Sequence, residues 1–266
     1  TENAYVKADI VHIAPEISGR VLAVAVRDHA TVAKGDTLVT LDPAPYSLAL
    51  AKAEGDAYEA VQAEEFGKAL VVEPYIPTVV IGGGALKYAG SAAQKEEHLN
   101  AIAGGERIIA FAQAEPKSRW ALNDVTTSAK KDGAGYMLNG HKAVVLGAPQ
   151  ADHLLVSART SGGQRDAKGI SLFLVPKDAK GVSTRDYPTM DDTRAAEVYF
   201  ENVSVGAESL IGAADGALRV IERIVDEANA AYNHEAVGCM RMMTDLTREY
   251  AKTRQQFGKP IATFQV

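Results

Sequence analysis

The sequence predicts an α+β fold on three observations. Between residues 107 and 206 the apolar residues fall in strand-length runs separated by Asp132-Gly133, Asn139-Gly140 and Ser161-Gly162-Gly163, the turn chemistry of an antiparallel sheet. From Leu218 to Tyr250 they recur mostly every three or four residues, the period of one long amphipathic helix with a buried face. Ahead of Pro43, β-branched runs punctuated by Gly19 and Gly35-Asp36 read as a short β segment of its own.

At 266 residues, 47% apolar and 23% charged, the chain can bury a real core as one large or two ordinary domains. A net charge of −6 without any basic run disfavours nucleic acid. No window approaches the roughly 18 consecutive apolar residues that a membrane span needs, and the opening residues lack the apolar centre of a signal peptide. The first residue is Thr1 rather than Met, which suggests an excerpt of a longer chain. The single cysteine, Cys239, excludes an internal disulfide and is expected as a small core residue on the long helix. His12, His29, His98, His141, His153 and His234 are scattered without the short spacings of metal sites, so no metal is expected.

Residues 1–55 are expected as the β segment, with Val6, Ile10, Ile13 and Ile17, then Val21–Val26, Val32–Asp36 and Leu38–Leu41 ending at Asp42-Pro43. Biotinyl and lipoyl carrier domains share that pattern but need a Lys in the hairpin after Leu41. Asp42-Pro-Ala-Pro45 has none, so a swinging-arm role is set aside. The wording of Asn3–Asp9, Ala14–Val21, Val32–Pro43 and Tyr46 resembles the membrane-fusion adaptor subunits of bacterial tripartite exporters. That likeness implies half of a barrel-sandwich, with exposed strand edges, in a periplasmic protein anchored to the inner membrane. It breaks between Leu50 and Tyr58, where an Ala/Glu/Lys-rich helix can run through the junction near Asp56 without a kink.

Residues 56–106 are expected to be helical. Gly82-Gly-Gly84 does not make a dinucleotide fingerprint, because Lys87 stands where the third Gly is needed; close helix packing explains it better. Residues 107–206 carry the strands Ile108–Ala112, Val125–Ser128, Tyr136–Leu138, Ala143–Leu146, Leu154–Ala158, Ile170–Val175 and Ala196–Phe200, a barrel-like antiparallel middle domain. Residues 207–266 begin a further helical domain, and Gly258 and Pro260 are expected to end its helix, holding Arg254 and Phe257 at the terminus.

Arg254-x-x-Phe257-Gly258-x-x-Ile261-x-x-x-Gln265 after such a helix resembles the signature of the acyl-CoA dehydrogenases. Ala114-Glu-Pro116, Gly135–Lys142, Ala151-Asp152 and Arg194–Val203 extend the resemblance from about Ala60 to Gln265, a truncated form of that architecture. It implies FAD as cofactor and α,β-dehydrogenation of an acyl-CoA in the cytoplasm. It also implies a homo- or hetero-oligomer, because Arg254, Gln256, Phe257 and Gln265 would reach the diphosphate and adenine of a neighbour's FAD. Val144, Val145 and Leu146 would lie on the strand beneath the flavin ring. The family's base is a Glu on a helical segment beyond Gln265. None of Glu222, Glu227, Glu235 and Glu249 is assigned that role, and no catalytic residue is named. Two departures stand out: Lys117-Ser-Arg-Trp-Ala121 replaces a Gly/Ser-rich turn that meets FAD and substrate, and Val144, Val145 and Leu146 replace a Trp-x-Thr. The pattern is most similar to the small subunits of heteromeric pimeloyl-CoA-type dehydrogenases. Three functions follow: an FAD-dependent acyl-CoA dehydrogenase-like oxidoreductase or its partner subunit, an export adaptor, or a join of both fragments with neither activity.

Overall fold

A computed structural model describes residues 17–27 and 29–264. The expected strands through Val6 and Ile13, and Gln265, lie outside the described residues. The chain divides into two compact units, one ending at Tyr58 and the other beginning at Glu59.

In the first unit, β1 (Val21–Val24) pairs antiparallel with β2 (Val39–Leu41), with a bulge between Val21 and Ala23. Val21, Leu22, Val24 and Val39 are exposed. Asp42 starts α1 (Ala44–Ala69) by accepting a bond from the Ala44 amide at 3.0 Å, and the boundary between the units falls inside this helix.

In the second unit, a π-type helical segment, Ile76–Gly83, runs straight into α2 (Gly84–Ala89). Ser91 and Gln94 form a capping box at α3 (Ala92–Gln94), and a second π-type stretch, Lys95–Leu99, leads to α4 (Asn100–Ala103). Gly82 brings this helical segment close against the strand that begins at Ile109 rather than against another helix, since a Cβ on Gly82 would lie 2.9 Å from the Ile109 Cβ. Beside it the Thr78 hydroxyl donates to the Ile109 carbonyl at 3.1 Å and accepts from the Ile109 amide at 3.2 Å.

The sheet comprises β3 (Ile109–Ala112), β4 (Ser128–Asp132), β5 (Gly135–Leu146), β6 (His153–Arg159), β7 (Ile170–Pro176), β8 (Val182–Pro188), β9 (Arg194–Val205) and β10 (Leu210–Ile211). Its order is β10-β7-β6-β4-β5-β9-β8, with β3 also on β6. It is an open sheet, and it is not wholly antiparallel: β3 runs parallel to β6, and β4 touches β6 in parallel at Ser128 and Arg159. Side-chain alternation could not reveal this, because it is the same in both pairings. β6 and β7 are buried on both faces and so read as continuous apolar runs. Leu155, Leu172 and Leu174 join Ile81, Leu86, Ile221 and Ile224 in a core beneath the helices. Val156, Phe173 and Val175 join Leu138, Val145, Val198 and Phe200 in a second core, which brings β5 and β9 together with β6 and β7.

α5 (Leu218–Thr253) is the long helix the period predicts, but its apolar stripe is buried only at the start. Ile221, Ile224, Ala228, Ala231 and Gly238 are covered, whereas Met240, Met243, Leu246 and Tyr250 are exposed by 53 to 62%. Gly238 is the last buried residue because it meets α1, where a Cβ would lie 2.0 Å from the Glu64 carbonyl oxygen. No described element covers the face that follows. Cys239 is only partly buried and its thiol donates to the Gly67 carbonyl at 3.1 Å, so it belongs to the helix crossing rather than to the core. Gly258 and Pro260 do not end the helix. It stops at Thr253, and a hairpin of β11 (Gln255–Gln256) with β12 (Lys259–Pro260) follows. Phe257 and Gly258, at φ 49° and 79°, supply the two positive values of a type I′ turn.

Candidate functional site

β5 is the strand on which the site is built, because it cannot stay in register with β9. Gly140 lies at φ 159° with its α-carbon against Thr127, where a Cβ would come within 2.4 Å of the hydroxyl oxygen, and the register shifts there. It shifts again between Lys142 and Val145. Inside the second shift the Ala143 amide donates to the Ala114 carbonyl at 2.8 Å, instead of continuing the ladder. Val144 takes φ 52°, a strained value for a β-branched residue. A bulge of this kind re-aims side chains: Val144 and Leu146 are 56% and 37% exposed while Val145 is buried.

A buried ion pair anchors the bulge from behind. Lys142 is wholly buried, and its ammonium donates to Glu115 at 2.9 Å, to the Ser157 hydroxyl at 3.0 Å and to the Gln113 carbonyl at 3.1 Å. Glu115 also accepts from the Thr126 amide at 2.8 Å, the Thr127 amide at 2.9 Å and the Thr126 hydroxyl. Burial pushes the carboxyl upward, but the Lys142 charge and these hydrogen bonds outweigh it and carry it down to about 2. Burial of the ammonium dominates on the other side, and Glu115 only partly offsets it, which leaves Lys142 at about 8.

In front of the bulge Leu146 borders a cavity of about 160 Å³, between the sheet and the two long helices. Phe66, Tyr75, Arg194, Tyr232 and Glu235 line it with Leu146. Tyr75 packs edge-on to Phe66 at 5.0 Å and donates to Gln62 at 3.1 Å. The Glu235 carboxyl is raised by burial and then by the charge of Asp191, which also lines the cavity. A largely apolar cleft with a few converging polar groups is the usual form of a small-molecule site. Sequence reading left Glu235 unassigned, because four glutamates on one helix carry no mark of which one faces a cleft.

The remaining predicted residues lie elsewhere. Arg254, Gln256 and Phe257 are exposed, Phe257 by 93%, with its ring edge-on to Phe264 at 6.1 Å. Arg254 is nineteen positions beyond Glu235 on or just past α5, about 28 Å along the axis at 1.5 Å per residue. One copy of the chain therefore does not bring Arg254, Gln256 and Phe257 together with Val144–Leu146. Among the described residues no three His, Cys, Asp or Glu side chains converge as metal ligands, and no helix is long and apolar enough to cross a membrane.

Residues 110–203 match the family model described as acyl-CoA dehydrogenase, middle domain. A 3-(aryl)acrylate reductase of Clostridium sporogenes is 32% identical over 179 residues, 66% of this chain and 47% of that protein. The solved butyryl-CoA dehydrogenase of Megasphaera elsdenii superposes with a TM-score of 0.73 at 27% identity, over 77% of this chain and 55% of that one. An FAD complex of PigA superposes with a TM-score of 0.72 at 25% identity, over 78% of this chain and 56% of that one. The chain spans about half the length of the curated relatives it matches. The match to the middle-domain model covers the bulged β5 and most of its sheet, and the superpositions extend well beyond it. Residues 110–203 carry the middle domain of the acyl-CoA dehydrogenase family, and the two superposed structures extend that likeness over 77 and 78% of the chain.

Proposed function

We propose that this chain supplies the flavin platform and acyl cleft of an FAD-dependent oxidoreductase acting on the α,β-bond of an acyl-CoA thioester. The observation that carries the reading is the bulge at Val144–Leu146, which turns apolar side chains outward beside the cavity. The residues present fit FAD. Val144 and Leu146 offer an apolar surface to a flat ring, and backbone amides on the strand could meet its polar edge in place of the missing threonine hydroxyl. At the far end of α5, Arg254 and Phe257 are exposed on a fixed turn, a guanidinium for diphosphate and an aromatic face for adenine. Because that end is about 28 Å from the cavity along the helix, it would serve the FAD of a neighbouring copy or partner subunit. Bound at the bulge, FAD would accept the hydride that leaves the β-carbon. The chain's own residues hold the acyl group in the cleft and exclude water from it.

The departures at Lys117–Ala121 and Val144–Leu146 support a subunit of the pimeloyl-CoA-type small-subunit kind, which completes a partner's site, working in the cytoplasm. Purification with the visible absorption of bound flavin, and bleaching of that absorption by acyl-CoA thioesters, is the expected result. Arg254→Glu should weaken FAD retention on gel filtration about tenfold or more, the loss of a charge-assisted phosphate contact. A folded protein that neither carries FAD nor takes it up on reconstitution overturns the proposal.

A further inference from the structure

The loop between β3 and β4 carries three outward side chains, Lys117, Arg119 and Trp120, on a rigid frame. Trp120 is 94% exposed. Lys117 and Arg119 are exposed as well, and neither side chain makes an ion pair or hydrogen bond among the described residues. Between them Ser118 is buried, its hydroxyl donating to the Glu115 carbonyl at 3.1 Å and accepting from the Glu115 amide at 3.0 Å. On the far side Asn123 donates to the Arg165 carbonyl at 2.6 Å, and Asp124 pairs with Arg165 at 2.9 Å. The loop is therefore tied down at both ends, and Arg119 takes φ 48° at its tip. The one acidic side chain from residue 115 to residue 122, Glu115, is consumed by Lys142. The tip presents two cations and an indole on a chain of net charge −6.

That combination has a specific ligand chemistry. An exposed indole on an ordered loop loses little entropy when it stacks, a purine offers the matching flat face, and flanking cations suit phosphates. The root of the loop is Glu115, bonded to Lys142 two residues before Val144. Five residues separate Glu115 from Trp120, so the tip is at most about 17 Å from that root, a span that an extended pantetheine arm covers. We infer that Lys117, Arg119 and Trp120 form a clamp for the adenosine phosphates of the CoA that carries the acyl group. This rests on the acyl-CoA reading above and adds to it the part of the substrate that this loop selects.

Trp120 is the only tryptophan, so its emission reports on the tip alone. CoA, and adenosine 3′,5′-bisphosphate as a fragment without the arm, are titrated against the purified protein while tryptophan fluorescence and heat are followed. Saturable quenching by both is expected. Lys117→Ala with Arg119→Ala should raise the midpoint and flatten its salt dependence. Trp120→Ala, followed by calorimetry, should weaken CoA about tenfold, and Trp120→Phe should retain most of the affinity. Absence of CoA binding, binding that leaves the emission unchanged, or equal affinity in Trp120→Ala overturns the clamp. Flavin bleaching by S-acyl-N-acetylcysteamine, which has no nucleotide, tests the cleft separately. Quenching by CoA without bleaching by any thioester leaves the clamp standing and refutes the dehydrogenation reading.

Discussion

Replacing Lys142 by Met should be among the most damaging single changes in the second unit, even though the ion pair it removes contributes almost nothing net. A carboxyl held at about 2 instead of its ordinary 4.5 favours its charged form by about 3 kcal/mol. An ammonium held at about 8 instead of 10.5 is disfavoured by about as much, because it is wholly buried. The opposite directions are those expected when desolvation of both ions offsets their attraction, which leaves a buried pair with little net contribution. Lys142→Met leaves the Glu115 charge buried, with its side chain 4% exposed, no counter-ion and the Gln113 carbonyl and Ser157 hydroxyl stripped of a donor. Stranding one ion of a buried pair costs about 3 to 5 kcal/mol. For a unit of this size that lowers Tm by roughly 6 to 20 °C. Urea or thermal unfolding followed by circular dichroism measures it, and Lys142→Met with Glu115→Gln should recover a large part of the loss. A Lys142→Met protein within about 1 kcal/mol of the parent, or a double variant no better than the single, refutes the assignment of Glu115 as a buried charge. The linkage also has a sign. The Glu115 contribution is present above pH 4.5 and is lost as pH falls through about 2. The Lys142 penalty is full below about 8 and relieved as pH rises through 10.5.

Two further expectations follow from packing and from titration. Gly238→Ala would place a Cβ 2.0 Å from the Glu64 carbonyl oxygen, with backbone on both sides; forcing α1 and α5 apart should cost about 1 to 3 kcal/mol or more, read as a lower urea midpoint, whereas an unchanged midpoint would mean that the helices do not cross there. The rings of His98 and His153 lie 5.5 Å apart beside Arg107, and both imidazoles are depressed, His98 by burial and His153 by burial and then by Arg107. Both thus favour the neutral form in the folded state, and stability present above pH 6.5 should decline as pH falls below it; a parent midpoint lower at pH 5.5 than at 7.5, with the difference shrinking in His98→Gln, is the expected outcome, and a pH-independent parent refutes it.

Much of this protein follows from local rules. The period of three and four from Leu218 set the long helix, Asp132-Gly133 and Ser161-Gly162-Gly163 marked turns between strands, and Gly82 announced a close approach before any partner was known, whereas Asn139-Gly140, expected as a turn, lies inside the single strand β5 at a register shift. These properties depend on neighbours in sequence or on the absence of a side chain, so one chain read in order suffices to see them. Contacts between distant segments do not leave such marks. That β3 lies parallel to β6, that Lys142 answers Glu115 across 27 positions, and that two of six scattered histidines share a corner were decided by how the sheet curls. Glu235 faces a cleft and Met243 faces water, on one helix with one period, because α1 crosses at Gly238 and no described element continues past it. Periodicity states that a face is apolar; only the arrangement of the other elements determines whether anything lies against it.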